Sequence, residues 1–149
     1  MTARALAFAL AVALLAAGGW FLYLHRHHFS PRGVVRCALG TASPEEIADL
    51  FARAPAAVRG QFDFKNCIAN HGALPSHGYR TMTLTSRAPD TRDVADYARP
   101  GFVPEAMVVA VLYDPFTRTA GTVRYPCLRV GGWWYIMDTW AAHAQAAPP

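Results

Sequence analysis

Residues 106–140, AMVVAVLYDPFTRTAGTVRYPCLRVGGWWYIMDTW, decide the fold. Met107 to Tyr113 is a β-branched, apolar run. Asp114 and Pro115 open a turn that closes by Gly121, Thr122 to Val130 makes a second strand, and Gly131-Gly132 is a two-residue hairpin loop into a third, Trp133 to Trp140. The loop pairs Val130 with Trp133, which puts Leu128, Val130, Trp133, Tyr135 and Met137 on one face and Arg129, Trp134, Ile136 and Asp138 on the other. Arg129 is then opposite Trp134, the placement of a cation–π pair. Arg124 and Arg129 are an odd number of residues apart, so a strictly alternating strand cannot expose both. Pro126, which lacks a ladder donor, lies between them and predicts a bulge that swaps the faces.

Upstream, the pattern changes from period two to helical spacing. PRGVVRCAL (31–39) sets Val34, Val35, Ala38 and Leu39 on one helical face, ended by Gly40. In the next helix Ser43 caps, Pro44 takes the first position, Glu46 completes a capping box, and Ile47, Leu50, Phe51 and Ala54 form the apolar stripe. QFDFKNCI (61–68) alternates as a strand, NHGALPSHG (70–78) reads as a Gly/Pro loop, and YRTMTLTS (79–86) is a second strand. Asp90 caps a short helix, TRDVADYAR, whose apolar contacts are Val94 and Tyr97, closed by Pro100-Gly101. The expected class is α+β: one N-terminal transmembrane helix, then short helices packed on a mostly antiparallel sheet of about four to five strands.

The helix comes from Ala5 to Leu24, twenty residues without a charge, which at about 1.5 Å rise each match the roughly 30 Å of a bilayer core. Trp20 and Tyr23 lie near its far end, where amphipathic rings favour the interface. A cleaved signal peptide, with the small residues Ala16 to Gly19 after the apolar core, is the competing reading; the length of the run favours an uncleaved anchor. The expected division is residues 1–28 as anchor, 29–140 as the folded domain and 141–149 as a disordered tail. The arginines after the segment, Arg26, Arg32 and Arg36, argue for a cytoplasmic domain. Three cysteines in a small domain and the very short leading tail argue for the periplasmic side of a bacterial inner membrane, and that side is the expectation.

Positive charge is almost wholly arginine, Lys65 being the sole lysine, and the net charge of +4 is spread along the chain. Nucleic-acid binding needs that charge gathered on one face, so no nucleic-acid partner is expected. Cys37, Cys67 and Cys127 allow three single disulfides; Cys67 with Cys127 is the preferred pair if the domain is extracytoplasmic, against reduced, buried thiols in all three. His25, His27 and His28 follow the apolar run as HRHH and are candidates for a metal, but with no carboxylate or cysteine nearby the expected role is contact with headgroups and no cofactor is expected. Asp138 is the one acid within the aromatic hairpin and the one candidate catalytic residue, provided it faces a pocket. Tyr79, Arg129 and Trp134 are candidate ligand-binding residues. No GxSxG, HExxH or Walker loop is present.

The Ser43 to Ala54 helix and LRVGGWWYIMD together resemble the nuclear transport factor two-like (cystatin-like) α+β roll, whose last strands carry a glycine turn and a W-x-I-D ending; Trp134, Ile136 and Asp138 stand in those places. The break at Gly40 departs from that family's long first helix. The resemblance implies a cone of helix and curved sheet, used variously by isomerases, dehydratases, non-enzymatic binding proteins and membrane-anchored assembly subunits. Fold does not select among these. The expected function is a membrane-anchored, non-enzymatic envelope protein that binds a protein partner or assists assembly, including inhibitor or immunity roles. The alternative is a small-molecule-binding domain or a hydrolase- or isomerase-type enzyme using Asp138 in a sheet pocket.

Overall fold

The computed structural model describes residues 3–138, so the tail expected beyond residue 140 and the last two positions of the final strand lie outside the described residues. The chain runs α1 (Ala3–Leu24), α2 (Pro31–Gly40), α3 (Pro44–Leu50), β1 (Phe51–Ala52), α4 (Phe64–Ser76), β2 (Arg80–Arg87), α5 (Thr91–Tyr97), β3 (Ala106–Asp114), β4 (Thr119–Val130) and β5 (Trp133–Met137). Five strands form one sheet in the order β1-β5-β4-β3-β2, antiparallel except where β1 joins β5. The fold is α+β with an apolar N-terminal helix, as the sequence pattern predicts.

The helix α1 is long and apolar enough to cross a membrane from Arg4 to Leu24, and none of that stretch is buried in the domain. Below it the sheet separates two cores. On one face α2, α3 and α4 bring Val34, Val35, Ala38, Ile47, Leu50 and Cys67 onto Val108, Ala110, Tyr125 and Ile136. On the other face Ala54, Val58 and Phe102 close over Met137, with Leu128 and Tyr135 beside them.

The hairpin register follows the sequence: Val130 pairs with Trp133, Arg129 with Trp134 and Leu128 with Tyr135. Gly131 and Gly132 have φ of 58° and 88°, the left-handed region that such a two-residue turn requires. The Arg129 guanidinium sits 4.8 Å from the centre of the Trp134 ring.

Four expectations are corrected. Pro126 makes no bulge: it pairs with Met107 in an unbroken β3–β4 ladder, and on its other side the β5 ladder starts only at Cys127, so the lost donor breaks no pair there. Arg124 and Arg129 therefore lie on opposite faces, Arg124 reaching 3.9 Å from Asp93 on α5 and Arg129 emerging at the end of the sheet over Trp134. The register irregularity lies instead in β2, between Thr81 and Thr83.

The second correction is the end of α3, which stops at Leu50. Phe51 and Ala52 turn extended and pair with Ile136 and Met137, because the sheet edge and both cores claim them. A stripe of apolar residues fits either state, and tertiary pairing decides. Third, residues 61–68 are no strand and 70–78 no loop. Asp63 caps α4 by accepting the Asn66 N–H at 3.1 Å, and Phe64, Cys67, Ile68, His71 and Leu74 make a helical stripe onto the core. Gly72 lies inside that helix because a Cβ there would stand 3.2 Å from the Ala42 carbonyl oxygen, where α4 crosses the start of α3. Fourth, Tyr97 of α5 is buried as expected, whereas Val94 is exposed. Cys67 and Cys127, the pair preferred for a bridge in an oxidising compartment, lie in one buried cluster, and burial pushes the pKa of the Cys127 thiol well above its ordinary value.

Candidate functional site

The hairpin acid comes first. Asp138 follows β5 directly and is 3% exposed. Both its carboxylate oxygens accept the Ala54 N–H at 3.1 Å, while Arg59 Nε donates to the Ala54 carbonyl at 3.0 Å. Burial raises the carboxyl's pKa; the Ala54 hydrogen bond and the charges of Arg53 and Arg59 oppose it. The two side chains thus satisfy both polar atoms of one buried residue's backbone, at the point where the chain leaves β1. The direction of the shift is the one general-base chemistry would want, but the lone pairs point at an amide.

The ligand-binding candidates are spread out. The Tyr79 hydroxyl donates to Asp114 Oδ2 at 3.3 Å, at the Asp114 end of β3. Arg129 and Trp134 lie past the Ala106 end, where the Arg129 N–H also donates to Glu105 Oε1 at 3.0 Å. A shallow groove of about 150 Å³ lies between Phe51, Ala52, Arg53, Val130 and Tyr135, and none of the four candidates lines it.

The histidines, by contrast, are brought together. His25 follows α1 at once, and Arg26–Phe29 is a single 3₁₀ turn before Ser30 caps α2 by accepting the Gly33 N–H. This turn folds three imidazoles inward. The rings of His27 and His28 are 4.3 Å apart between centres, and His25 lies 6.1 Å from His28 and 6.3 Å from His27. One ring nitrogen from each lies within 4.8 Å of the others. His28 is buried, and its Nδ1 stands 2.7 Å from the Trp134 carbonyl oxygen. A carbonyl only accepts, so Nδ1 carries the proton and Nε2 keeps the lone pair.

The β5 hairpin walls this cluster. The Trp133 ring lies 5.7 Å from both His25 and His28 and 5.6 Å from Phe29, and Tyr135 lies 4.7 Å from His28. Arg26 leaves the cluster: its guanidinium stacks 4.1 Å over Tyr23 and donates to the Tyr23 carbonyl. Burial lowers the pKa of His27, helped by the charges of His28, His25 and Arg26; burial also lowers that of His28, opposed by its bond to Trp134. Asp49 is the acid close enough to favour positive charge on both. Gly33 makes the fold of the turn compatible with α2, since a Cβ there would stand 2.3 Å from the His27 carbonyl oxygen.

Among the described residues, the three that could hold a metal are therefore His25, His27 and His28. In the sequence they were separable from a headgroup contact only by the i, i+2, i+3 spacing; that spacing converges in a 3₁₀ turn, and the partner that orients His28 is 106 residues away. No protein-family model, curated protein or solved structure matches the chain.

Proposed function

We propose that this is a non-enzymatic envelope protein, anchored in a bacterial inner membrane by α1, whose α+β domain is held on the periplasmic side to bind a protein partner or assist an assembly. The observation that carries the reading is the mounting of the domain. The apolar surface of α1 is exposed along its length, while its last turn meets the hairpin through Phe21 against Trp133, at 6.2 Å between ring centres. An apolar helix of that length seeks lipid, and its junction with the domain is packed rather than a flexible tether. At the far side of the sheet β2 is an edge strand of eight residues, exposed along most of its length, with an outer backbone edge of the kind that strand addition uses.

Two measurements test this. A photo-crosslinker placed at Thr83 on β2 in living cells is expected to give one discrete protein adduct, lost when Ser86→Pro removes an outward-facing N–H of the edge; an adduct pattern unchanged by that block overturns β2 as the contact. A reporter fused after Pro149 is expected to be active outside the cytoplasm, and activity confined to the cytoplasm overturns the orientation. Asp138→Asn, which keeps the side chain's shape, is expected to leave partner capture intact.

A further inference from the structure

We propose that His25, His27 and His28 form a binding site for a divalent first-row transition metal of the zinc class, at the joint between the apolar helix and the domain. Three neutral imidazoles make a borderline-soft nitrogen set, which suits zinc, copper or nickel and not calcium or magnesium. Metal–nitrogen bonds of about 2.0–2.1 Å in a tetrahedral site put the ligand nitrogens roughly 3.3 Å apart. Starting within 4.8 Å of one another, with His25 and His27 only half-buried, the rings need modest rotations to reach that spacing.

The strongest feature is the outer contact. A metal-binding histidine characteristically donates its second ring N–H to a carbonyl or carboxylate, which fixes the tautomer and aims the lone pair. His28 does this with the Trp134 carbonyl at 2.7 Å. The other surroundings agree. Trp133 and Tyr135 pack against the imidazoles on one side, Arg26 is turned onto Tyr23, and Asp49 supplies nearby negative charge. Three histidine ligands leave a fourth position for water or for a donor from outside the chain. Bound metal would lock His25, at the end of α1, to the 3₁₀ turn, whose His28 already bonds the hairpin, and so fix the domain's attitude on its anchor. This inference does not rest on the partner-binding reading, since it concerns the isolated protein.

The test is metal titration of the full chain in detergent or lipid nanodiscs, with Zn²⁺ by calorimetry and Co²⁺ by its visible ligand-field absorption. One ion per chain is expected, with the intense bands of a four-coordinate cobalt site. His25→Ala and His27→Ala, at half-buried positions, should each weaken binding by about tenfold or more while leaving the circular dichroism unchanged. His28→Ala should abolish binding, and His77→Ala, on the exposed end of α4, should not alter it. Equal affinity in wild type and in the His25/His27 double variant would overturn the site. So would loss of affinity for anionic vesicles, without loss of metal affinity, in that double variant, because it would leave a headgroup contact in its place.

Discussion

His71 and His28 are both buried, and burial lowers the pKa of each, yet they sit in regions of opposite character. His71 lies on α4 in the main core, its ring edge-on to Phe51 and Tyr125 at 5.6 Å, and its pKa is pulled down to about 4 by burial, offset by a hydrogen bond with the Ala38 backbone. His28 lies at the joint between α1 and the hairpin, with two more imidazoles beside it and a carbonyl on its Nδ1. Desolvation alone thus marks neither as functional. What separates them is the company: aromatic and aliphatic side chains around one, a converging set of lone pairs around the other.

The largest expected effect belongs to the core histidine. Unfolded, His71 titrates near 6.5; folded, near 4. Above pH 6.5 both states are neutral and the residue contributes no pH dependence. As pH falls from 6.5 towards 4 the unfolded chain takes up the proton and the folded one does not, so stability drops, by about 3 kcal/mol in all, and levels off below pH 4. His71→Leu, of similar bulk, should remove this slope. Urea unfolding of wild type and variant at pH 7 and pH 4.5 measures it; His27 and His28, with pKa values lowered in the same direction, leave a remainder, and a slope undiminished in His71→Leu would assign the acid sensitivity elsewhere.

At the joint, the sharpest single change is Gly33→Ala. Alanine in a helix interior normally gains up to about 1 kcal/mol over glycine. Here the new Cβ would stand 2.3 Å from the His27 carbonyl oxygen, a backbone atom that moves only if the histidine turn moves with it. The expected outcome is a loss of about 1–3 kcal/mol, the usual scale for overpacking, together with weaker metal binding. Gly40→Ala, with open space around its Cβ position, is the control and should not lose stability beyond a few tenths of a kcal/mol. A neutral Gly33→Ala would mean that the turn is not wedged against α2.

The two regions also differ in how far the sequence discloses them. Residues 128–137 are legible down to individual pairs, because a Gly-Gly loop fixes register and period-two patterning fixes faces, whereas the unbroken ladder through Pro126 is not. Residues 61–78 look like strand and loop in the sequence and fold as α4, because Phe62-Asp63-Phe64-Lys65 mimics alternation while Asp63 is a helix cap, and Gly72 and Pro75 imitate a loop inside a helix. A loop over 70–78 would leave His71 at the surface, whereas in α4 it is wholly buried. Phe51 continues a helical stripe in the sequence, and nothing local announces a two-residue parallel edge strand; its partner, Ile136, is 85 positions away. The histidine cluster fails for the same reason in subtler form: HRHH is visible, but the walls and the carbonyl that order it belong to β5. Asp138 was visible as an acid in the hairpin, whereas its engagement with Ala54 was not.

The smallest expected effect asks whether the two sides of Trp134 act independently. Its ring carries Arg129, 4.8 Å from the centroid, and its carbonyl holds His28. The Arg129 contact is exposed, so Arg129→Met, which keeps much of the stem, should cost only about 0.5–1 kcal/mol in denaturant unfolding. Side chain and carbonyl belong to the same residue, but β5 is pinned by its pairing on both sides: Trp134 to Arg129 through the β4 ladder, and Ile136 to Phe51 of β1. The carbonyl should therefore keep its place when the guanidinium is gone, and metal affinity should change by less than about twofold, well inside the margin set by losing an outer contact. If Arg129→Met instead weakens metal binding about tenfold, the cation–π pair is part of what aims His28, and the joint extends from the histidine turn across the hairpin to its exposed face.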